Sequence, residues 1–396
     1  MLDKRPTSTA RIVQILPIAA ATVGGFVGGL VLGSFGSSNF ADNFGGSGSM
    51  DVRSDALNVA QLVIEPVSVE LVNAVPDAAA AVPVPNVALV QGDRFSGGPL
   101  ECHMDLSKAK KIKNRLLKAE WVWPQDIEES KVKLQQSWFN TQEGAAITIV
   151  DRALASANAA STHHFLDIGA NQGFYSLIAG HRGYRAIGIE VQRTCAEHFS
   201  CNAVWNGYTG HELWNRYAAE QVDEVTGRVI QIDGGLCSGH TSVVQEGLGH
   251  TPKTEFVPIR PLDVGRMVLE RGLKIAAVKI DTEGYEANIF RSLRPLLAQR
   301  AIPNILVEMG PNSWETFGVP REEAMALFRQ MYEEWGMTAY RVHGLPLKPA
   351  PKLPLDLSSW VTHLPTFEDL ETELEDLWVA DFWFTLDGEA VIQATY

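Results

Sequence analysis

From about residue 160 the chain alternates short apolar runs with amphipathic segments of helical period. Apolar runs of strand length between helical segments are typical of a parallel sheet covered on both faces. The pattern predicts an α/β fold with a doubly wound, mostly parallel sheet, and "WVADFWFTL" predicts a late strand near the sheet edge. The predicted strands are "HHFLDIG", "YRAIGIEV", "RVIQI", "KIAAVKID" and "NILVEM". The predicted helices are "FYSLIAGHRG", "TCAEHFSCNAVWNG", "PLDVGRMVLERG", "EANIFRSLRPLLAQ" and "REEAMALFRQMYEEWG".

The N-terminal third has a different pattern. Residues 12–35 contain no charged side chain, and at about 1.5 Å per helical residue they are long enough for a hydrocarbon core of about 30 Å. They predict a transmembrane anchor after a short N-terminus, residues 1–11. The alternative is a cleaved signal peptide, whose apolar core is usually shorter, about 7–15 residues.

Charge and glycine content refine the anchor. Lys4, Arg5 and Arg11 precede it and no Lys or Arg follows until Arg53, so the positive-inside rule predicts a single pass with a cytoplasmic N-terminus. The expected location is the membrane of the Golgi or of another secretory compartment. Small-residue spacings predict a homodimer contact between anchors, although glycine is also simply frequent in membrane helices. These glycines are Gly24, Gly25, Gly28, Gly29 and Gly33.

Composition separates the remaining regions. Residues 36–95 are rich in Gly, Ser, Ala and Pro and predict a low-complexity stem. Residues 96–160 are predicted to be an N-terminal extension of the α/β domain, which is expected to occupy residues 161–396. The basic stretch at residues 107–118 favours a solvated helix face.

Charge and cysteine content exclude some classes of protein. The formal net charge of −14 argues against nucleic acid as a partner. The spacing of the four cysteines matches no common zinc pattern. The composition does not require a disulfide framework, and a single bridge is left open. The cysteines are Cys102, Cys195, Cys201 and Cys237.

The predicted strands end in acids. Asp167 ends the first strand, Glu190 follows the second, Asp281 and Glu283 follow the fourth, and Glu308 ends the fifth. Ligands of open parallel sheets bind beyond the carboxyl ends of the strands. We therefore expect these carboxylates to face one binding site.

The first of these acids opens a glycine turn, Asp167-x-Gly169-x-Asn171-x-Gly173. A dinucleotide site prefers G-x-G-x-x-G with a pyrophosphate at the helix start, and an acid before the first glycine repels that group. The acid suits a ligand with an ammonium and a sulfonium, and Glu190 stands where an acid accepts ribose hydroxyls. S-adenosylmethionine meets these demands, and Asp233, at the end of the third predicted strand, is expected near its adenine.

Several motifs resemble those of one enzyme family. "FLDIGANQGFYSL", "AIGIEV", "PLDVGRM" and above all "VKIDTEGYEANIFRSL" are similar to the FkbM-type S-adenosylmethionine-dependent methyltransferases, over about residues 160–310. The resemblance implies a Rossmann-like class I methyltransferase domain and O-methylation, including that of sugar-type hydroxyls. The chain departs from the family at residues 208–227 and after residue 340, and these departures leave the acceptor open.

The chemistry is assigned to the acids after the fourth strand. Transfer to a hydroxyl needs a group that takes its proton, and Asp281 and Glu283 are the predicted catalytic residues. The alternative for Asp281 is a structural ion pair with Lys279, on the same strand face. His240 is a further candidate base. No metal is predicted, although Asp281, Glu283 and Glu308 offer an alternative divalent-ion site.

The sequence thus predicts a membrane-anchored methyltransferase that uses S-adenosyl-L-methionine and acts on a hydroxyl of a glycan or glycan-like acceptor. Two alternatives stay open. One is methylation of a protein or small molecule, and the other is an inactive methyltransferase-like module that binds ligands at the membrane.

Overall fold

The computed structural model describes residues 100–123, 143–220, 228–233, 237, 243–245, 254–345, 353 and 355–394. The predicted N-terminus, anchor and stem, residues 1–95, lie outside these ranges, as do the predicted dimer contact and His240. Within the described part of the chain, none of the helices combines the length and hydropathy that a membrane span requires.

Eight α-helices and fifteen strands are numbered along the described ranges. The helices are α1 Gly144–Ala157, α2 Phe174–His181, α3 Arg193–Trp205, α4 Val264–Glu270, α5 Glu286–Ala298, α6 Arg321–Glu333, α7 Phe367–Leu374 and α8 Gly388–Gln393. The first strands are β1 Lys110–Asn114, β2 Ala119–Trp123, β3 His163–Ile168, β4 Arg185–Ile189, β5 Glu212–Trp214, β6 Tyr217–Ala218, β7 Arg228–Asp233 and β8 Val243–Gln245. The later strands are β9 Thr254–Pro258, β10 Pro261–Leu262, β11 Lys274–Ile280, β12 Asn304–Met309, β13 Thr338–Val342, β14 Val361–Leu364 and β15 Ala380–Thr385. Helices α2 to α6 confirm the five helices predicted from periodicity.

The central sheet has eight strands in the order β14-β13-β15-β12-β11-β3-β4-β5. The five strands from β12 to β5 are parallel, whereas β15 and β13 pair antiparallel with their neighbours. The predicted α/β class is confirmed, and the sheet is mixed, with a parallel part from β12 to β5 and an antiparallel part from β12 to β14.

Both faces of the sheet are buried, in alternation. Along β12, Ile305 and Val307 join one hydrophobic cluster, and Leu306 joins a second. The first cluster includes apolar side chains of α4, α5, α6 and α7, and the second those of α1, α2 and α8. Side chains of a strand point alternately to its two faces, so the continuous apolar runs follow from helices on both sides.

Two strand assignments from the sequence were wrong. β7, predicted as the third parallel strand, lies in a separate sheet, where it pairs antiparallel with β8 and β9. Its place beside β4 belongs to β5, from the segment expected to be a long connection. The C-terminal strand β15 lies inside the sheet between β12 and β13. An apolar run indicates that a segment forms a strand, but it holds no information about the neighbour with which that strand pairs.

The N-terminal extension contains a hairpin instead of the expected helix. β1 and β2 pair antiparallel, and Lys110, Lys111 and Lys113 are exposed while Ile112 is buried. This alternation has period two, which a strand satisfies and a helix does not.

Disulfides fasten the extension and a loop to α3. Cys102 bonds to Cys201, and Cys195 bonds to Cys237. All four cysteines are therefore paired, which is more than the single bridge that the sequence left open.

Candidate functional site

The glycine turn after β3 has a backbone that requires its glycines. Gly169 and Gly173 adopt φ values of +75° and +82°, and Asn171 also has a positive φ, 49°. A Cβ on Gly169 would lie 1.7 Å from the backbone oxygen of Asp281, and one on Gly173 would lie 2.5 Å from Phe199. The turn is thus packed directly against the segment that follows β11, and this brings the predicted cofactor and catalytic segments together.

Glu190 fastens this turn to the end of β4. Its Oε2 accepts the backbone N–H of Asn171 at 2.7 Å, and its Oε1 accepts that of Gln192 at 2.7 Å. The residue is 3% exposed, and burial raises the pKa of Glu190 to about 7 against these two hydrogen bonds. Each carboxylate oxygen keeps a second lone pair, so Glu190 can still accept hydrogen bonds from the hydroxyls of a ribose.

Asp167 is turned into the protein. It is 2% exposed, and its Oδ2 accepts hydrogen bonds from the Ser176 amide at 3.0 Å and the Ser176 hydroxyl at 2.6 Å. Burial raises the pKa of Asp167 to about 7, and the two bonds oppose this shift. Asp167 therefore holds the first turn of α2 against β3. Direct contact between its carboxylate and a cofactor stays a prediction.

Asp233, which the sequence analysis expects near the adenine, does not lie in the central sheet. Asp233 ends β7, outside the central sheet. At the end of β5, beside Glu190, stands Asn215, whose Nδ2 donates to the Glu190 carbonyl at 2.7 Å. Sequence reasoning missed Asn215 because it treated this segment as a connection. The role of Asp233 in cofactor binding stays a prediction.

A buried lysine organises the other half of the site. Lys279 is 2% exposed, and its Nζ lies 3.4 Å from Asp281 Oδ2, 3.9 Å from Asp381 Oδ1 and 5.4 Å from the centre of the Tyr175 ring. Burial lowers the pKa of Lys279, but the two carboxylates outweigh it and raise the pKa above its ordinary value. The ion pair weighed as an alternative for Asp281 is present, and Asp381 is a partner that sequence reasoning missed.

Three carboxylates stand together beyond β11 and β12. Asp281, Glu283 and Glu308 each offer one oxygen, and these oxygens lie within 4.8 Å of one another. Burial, Asp281 and the nearby Glu286 raise the pKa of Glu283 to about 8. The charge of Asp281, then burial, raise the pKa of Glu308 well above its usual value. Hard oxygen ligands of this kind could hold a divalent cation; the prediction of no metal stays a prediction.

A fourth carboxylate in this region has a structural role. Glu286 is 0% exposed, and it accepts N–H groups from Gly284 at 2.7 Å, Gly310 at 3.3 Å and the indole of Trp314 at 3.2 Å. It therefore joins the loops after β11 and β12. These loops form one side of an open cleft, which is lined by Glu283, Gly284, Glu286, Glu308, Gly310, Asn312, Ser313, Trp378 and Val379.

The arrangement has two chemically distinct parts. The glycine turn with Glu190 offers close backbone approach and hydroxyl acceptors, and the cluster around Lys279 offers carboxylates that can take a proton. Of the predicted site residues whose side chains the structure describes, all lie in one of these parts. The glycine turn that the sequence assigns to S-adenosylmethionine thus adjoins the group of carboxylates.

Solved methyltransferases show distant likeness to this chain. The bifunctional kinase-methyltransferase WbdD is 11% identical, with a TM-score of 0.29 over 63% of this chain and 41% of that chain. A methyltransferase from Agrobacterium tumefaciens is 10% identical, with a TM-score of 0.33 over 72% and 71%. The magnesium protoporphyrin IX methyltransferase from Synechocystis PCC 6803, solved with bound SAH, is 9% identical, with a TM-score of 0.29 over 66% and 89%. At these scores the likenesses decide nothing about function, and the chain spans about two fifths of the length of WbdD.

A family model gives the stronger match. Residues 167–338 match the model described as Methyltransferase FkbM domain, and no curated protein matches the chain. The match begins at Asp167 and contains Glu190, Asp281, Glu283 and Glu308, which are the acids at the carboxyl end of the sheet. Residues 167–338 therefore resemble an FkbM-type methyltransferase domain, and this match supports S-adenosylmethionine as the cofactor.

Proposed function

We propose that the chain methylates a hydroxyl group of a glycan or glycan-like acceptor. The observation that carries this proposal is the position of Asp281. Its backbone oxygen packs on Gly169 of the cofactor turn, while its side chain is 41% exposed. A partly exposed carboxylate adjacent to the cofactor turn suits an acceptor with a weakly acidic proton.

Each of these residues has a separate role in the proposed methyl transfer. When bound, S-adenosylmethionine supplies an electrophilic methyl group. The turn at Gly169 and the carboxylate of Glu190 hold the cofactor, and Asp281 accepts the proton that the acceptor hydroxyl loses. Lys279, 3.4 Å from Asp281 Oδ2, fixes the orientation of that carboxylate and leaves its other oxygen for the proton.

The test uses the full-length chain, S-adenosylmethionine labelled in its methyl group, and a panel of hydroxyl, amine and thiol acceptors. Asp281→Asn keeps the size of the side chain and removes the proton acceptor, so we expect a loss of about 10²–10⁴ in turnover. Its affinity for S-adenosylhomocysteine, measured by calorimetry, should not change. The contrasting variant is Glu190→Gln, which should lose about 1.5–3 kcal/mol of cofactor affinity. Full turnover by Asp281→Asn would make Asp281 structural, and labelled amine or thiol products alone would refute hydroxyl methylation.

The location in a secretory compartment is part of the same proposal. The charge asymmetry around residues 12–35 supports a catalytic domain on the far side of the membrane. The two disulfides support it independently, because stable disulfides are typical of oxidising compartments. Protease treatment of sealed vesicles checks this topology, since digestion of the catalytic domain without detergent would place it in the cytoplasm.

A further inference from the structure

Trp378 is the most exposed large hydrophobic side chain in the described part of the chain. It is 76% exposed and precedes β15, and the next residue, Val379, is 47% exposed. Both line the cleft that also contains Glu283 and Glu308. An indole left in water beside a group of carboxylates costs hydrophobic free energy that burial would recover, so its position points to a ligand.

The loop that carries Trp378 is held in place. Asn312 Nδ2 donates to the Leu377 carbonyl at 3.0 Å, and Arg321 Nη2 donates to the Leu374 carbonyl at 2.6 Å. The carbonyl oxygen of Trp378 lies 3.9 Å from where a Cβ on Gly310 would stand. The indole is thus presented from a segment fixed to the end of β12, and a ligand that packs on it does not have to order the loop first.

The charge of the cleft restricts what that ligand can be. Its titratable lining residues are Glu283, Glu286 and Glu308, with no Lys or Arg among the residues that line it. The ammonium of Lys279 is buried between Asp281 and Asp381. Carboxyl oxygens accept hydrogen bonds from hydroxyls whether or not the acid is ionised. A cleft lined by acids, with no Lys or Arg in its lining, offers no cationic partner to a carboxylate, sulfate or phosphate group.

We propose that Trp378 is the platform of an acceptor subsite for a neutral pyranose ring. The apolar C–H face of the ring packs on the indole, and its hydroxyls donate to Glu283 and Glu308. The oxygens of these two acids lie within 4.8 Å of an oxygen of Asp281, so one hydroxyl of the same ring reaches the carboxylate that takes the proton. This inference rests on the proposed function, and it adds a sugar-binding residue and the exclusion of acidic sugars.

The experiment measures sugar binding separately from turnover. Full-length protein with S-adenosylhomocysteine is examined by saturation-transfer NMR against neutral methyl pyranosides of glucose, galactose and mannose, with methyl glucuronoside as the acidic comparison. Trp378→Ala removes the platform, Trp378→Phe keeps an aromatic ring, and Leu269→Ala is a control at another exposed apolar position, 42% exposed on α4. Calorimetry with S-adenosylhomocysteine reports the integrity of the cofactor site in every variant.

We expect at least one neutral pyranoside to bind and the glucuronoside to bind at least about tenfold more weakly. Trp378→Ala should weaken binding of that pyranoside about tenfold or more, as loss of a central aromatic anchor does, with cofactor affinity unchanged. Trp378→Phe should keep most of the affinity, and Leu269→Ala all of it. Pyranoside binding that ignores Trp378→Ala, or a preference for the glucuronoside, overturns the subsite and leaves the proposed function standing. Binding of no pyranoside by a protein that binds S-adenosylhomocysteine also overturns it. Failure of methyl transfer to every hydroxyl acceptor is the separate result that counts against the proposed function.

Discussion

Replacement of Lys279 by methionine tests the electrostatic design of the site. Met has a similar unbranched length but no charge, so the change removes the ammonium and keeps most of the packing. The ammonium lies 3.4 Å from Asp281 and 3.9 Å from Asp381, and only 2% of Lys279 is exposed. The variant leaves these two carboxylates and Glu308 next to one another without their cation.

The size of the effect follows from the distances and the exposure. Unit charges at these separations interact by about 4–5 kcal/mol for an effective dielectric constant of about 20. Two effects reduce this value. Asp281 and Asp381 are 41% and 23% exposed, so solvent screens both pairs, and the variant no longer buries an ammonium. We therefore expect a net loss of about 2–4 kcal/mol in the free energy of unfolding at pH 8.

The pH dependence of the loss has a definite sign. Burial raises the pKa of Asp381 to about 7 even though Lys279 opposes the shift, and without Lys279 the pKa must rise further. An acid whose pKa is higher in the folded state than the unfolded value of about 3.9 binds more protons when folded, so stability falls as pH rises between the two values. The deficit of the variant should therefore be largest at pH 8 and should shrink towards pH 5, where Asp381 is protonated.

Urea denaturation followed by tryptophan fluorescence at pH 5, 6.5 and 8 measures this. The matched control is Lys274→Met, at the exposed first position of the same strand, which should change stability by less than about 0.5 kcal/mol at any pH. Adding Asp381→Asn to Lys279→Met should recover part of the loss at pH 8. A deficit that is the same at pH 5 and pH 8 would show that Lys279 acts through packing and would refute the electrostatic reasoning.

Three further changes follow from single contacts. Gly169→Ala should lower the free energy of unfolding by at least about 2 kcal/mol and weaken cofactor binding. The reasons are that a Cβ there lies 1.7 Å from the Asp281 carbonyl oxygen and that φ is +75°. A calorimetric cofactor affinity equal to that of the unchanged chain would contradict this. Cys102→Ser should lower the free energy of unfolding by about 2–5 kcal/mol, since it removes a disulfide between residues 99 positions apart. A denaturation midpoint equal to that of the unchanged chain would contradict this. Glu286→Ala should lower the free energy of unfolding by about 2–5 kcal/mol, because it leaves buried N–H groups without an acceptor. An unchanged melting temperature would show that this reasoning is wrong.

Local pattern was sufficient where a segment determines its own structure. The four strands that carry Asp167, Glu190, Asp281 and Glu308 at their ends were predicted from apolar runs, and they do form neighbouring parallel strands. The acids therefore meet at one edge, because parallel strands end on the same side of a sheet. The glycine turn was also predictable, since only a few residue types tolerate a positive φ and a close backbone approach.

Pairing between distant segments was not predictable in the same way. A short apolar run such as that of β7 carries the strand signal, but a three-residue strand, β5, lies next to β4. The two disulfide pairs were not predicted for a related reason, because the spacing of cysteines does not determine which of them pair. Both errors concern which segments meet in space, and a single sequence holds little information on that.

Asp381 shows how this limitation affected the site itself. The rule that ligands bind at the carboxyl ends of strands draws attention to residues after parallel strands. β15 runs antiparallel to β12, and Asp381 pairs in register with Glu308, so the start of β15 lies at the edge where its parallel neighbours end. The carboxylate that shares Lys279 with Asp281 therefore comes from a strand that the rule does not consider, about 100 residues further along the chain. Once β15 is placed inside the sheet, the position of the buried lysine is explained. It lies between two carboxylates that the mixed topology brings to the same edge, and Asp281 stays partly exposed.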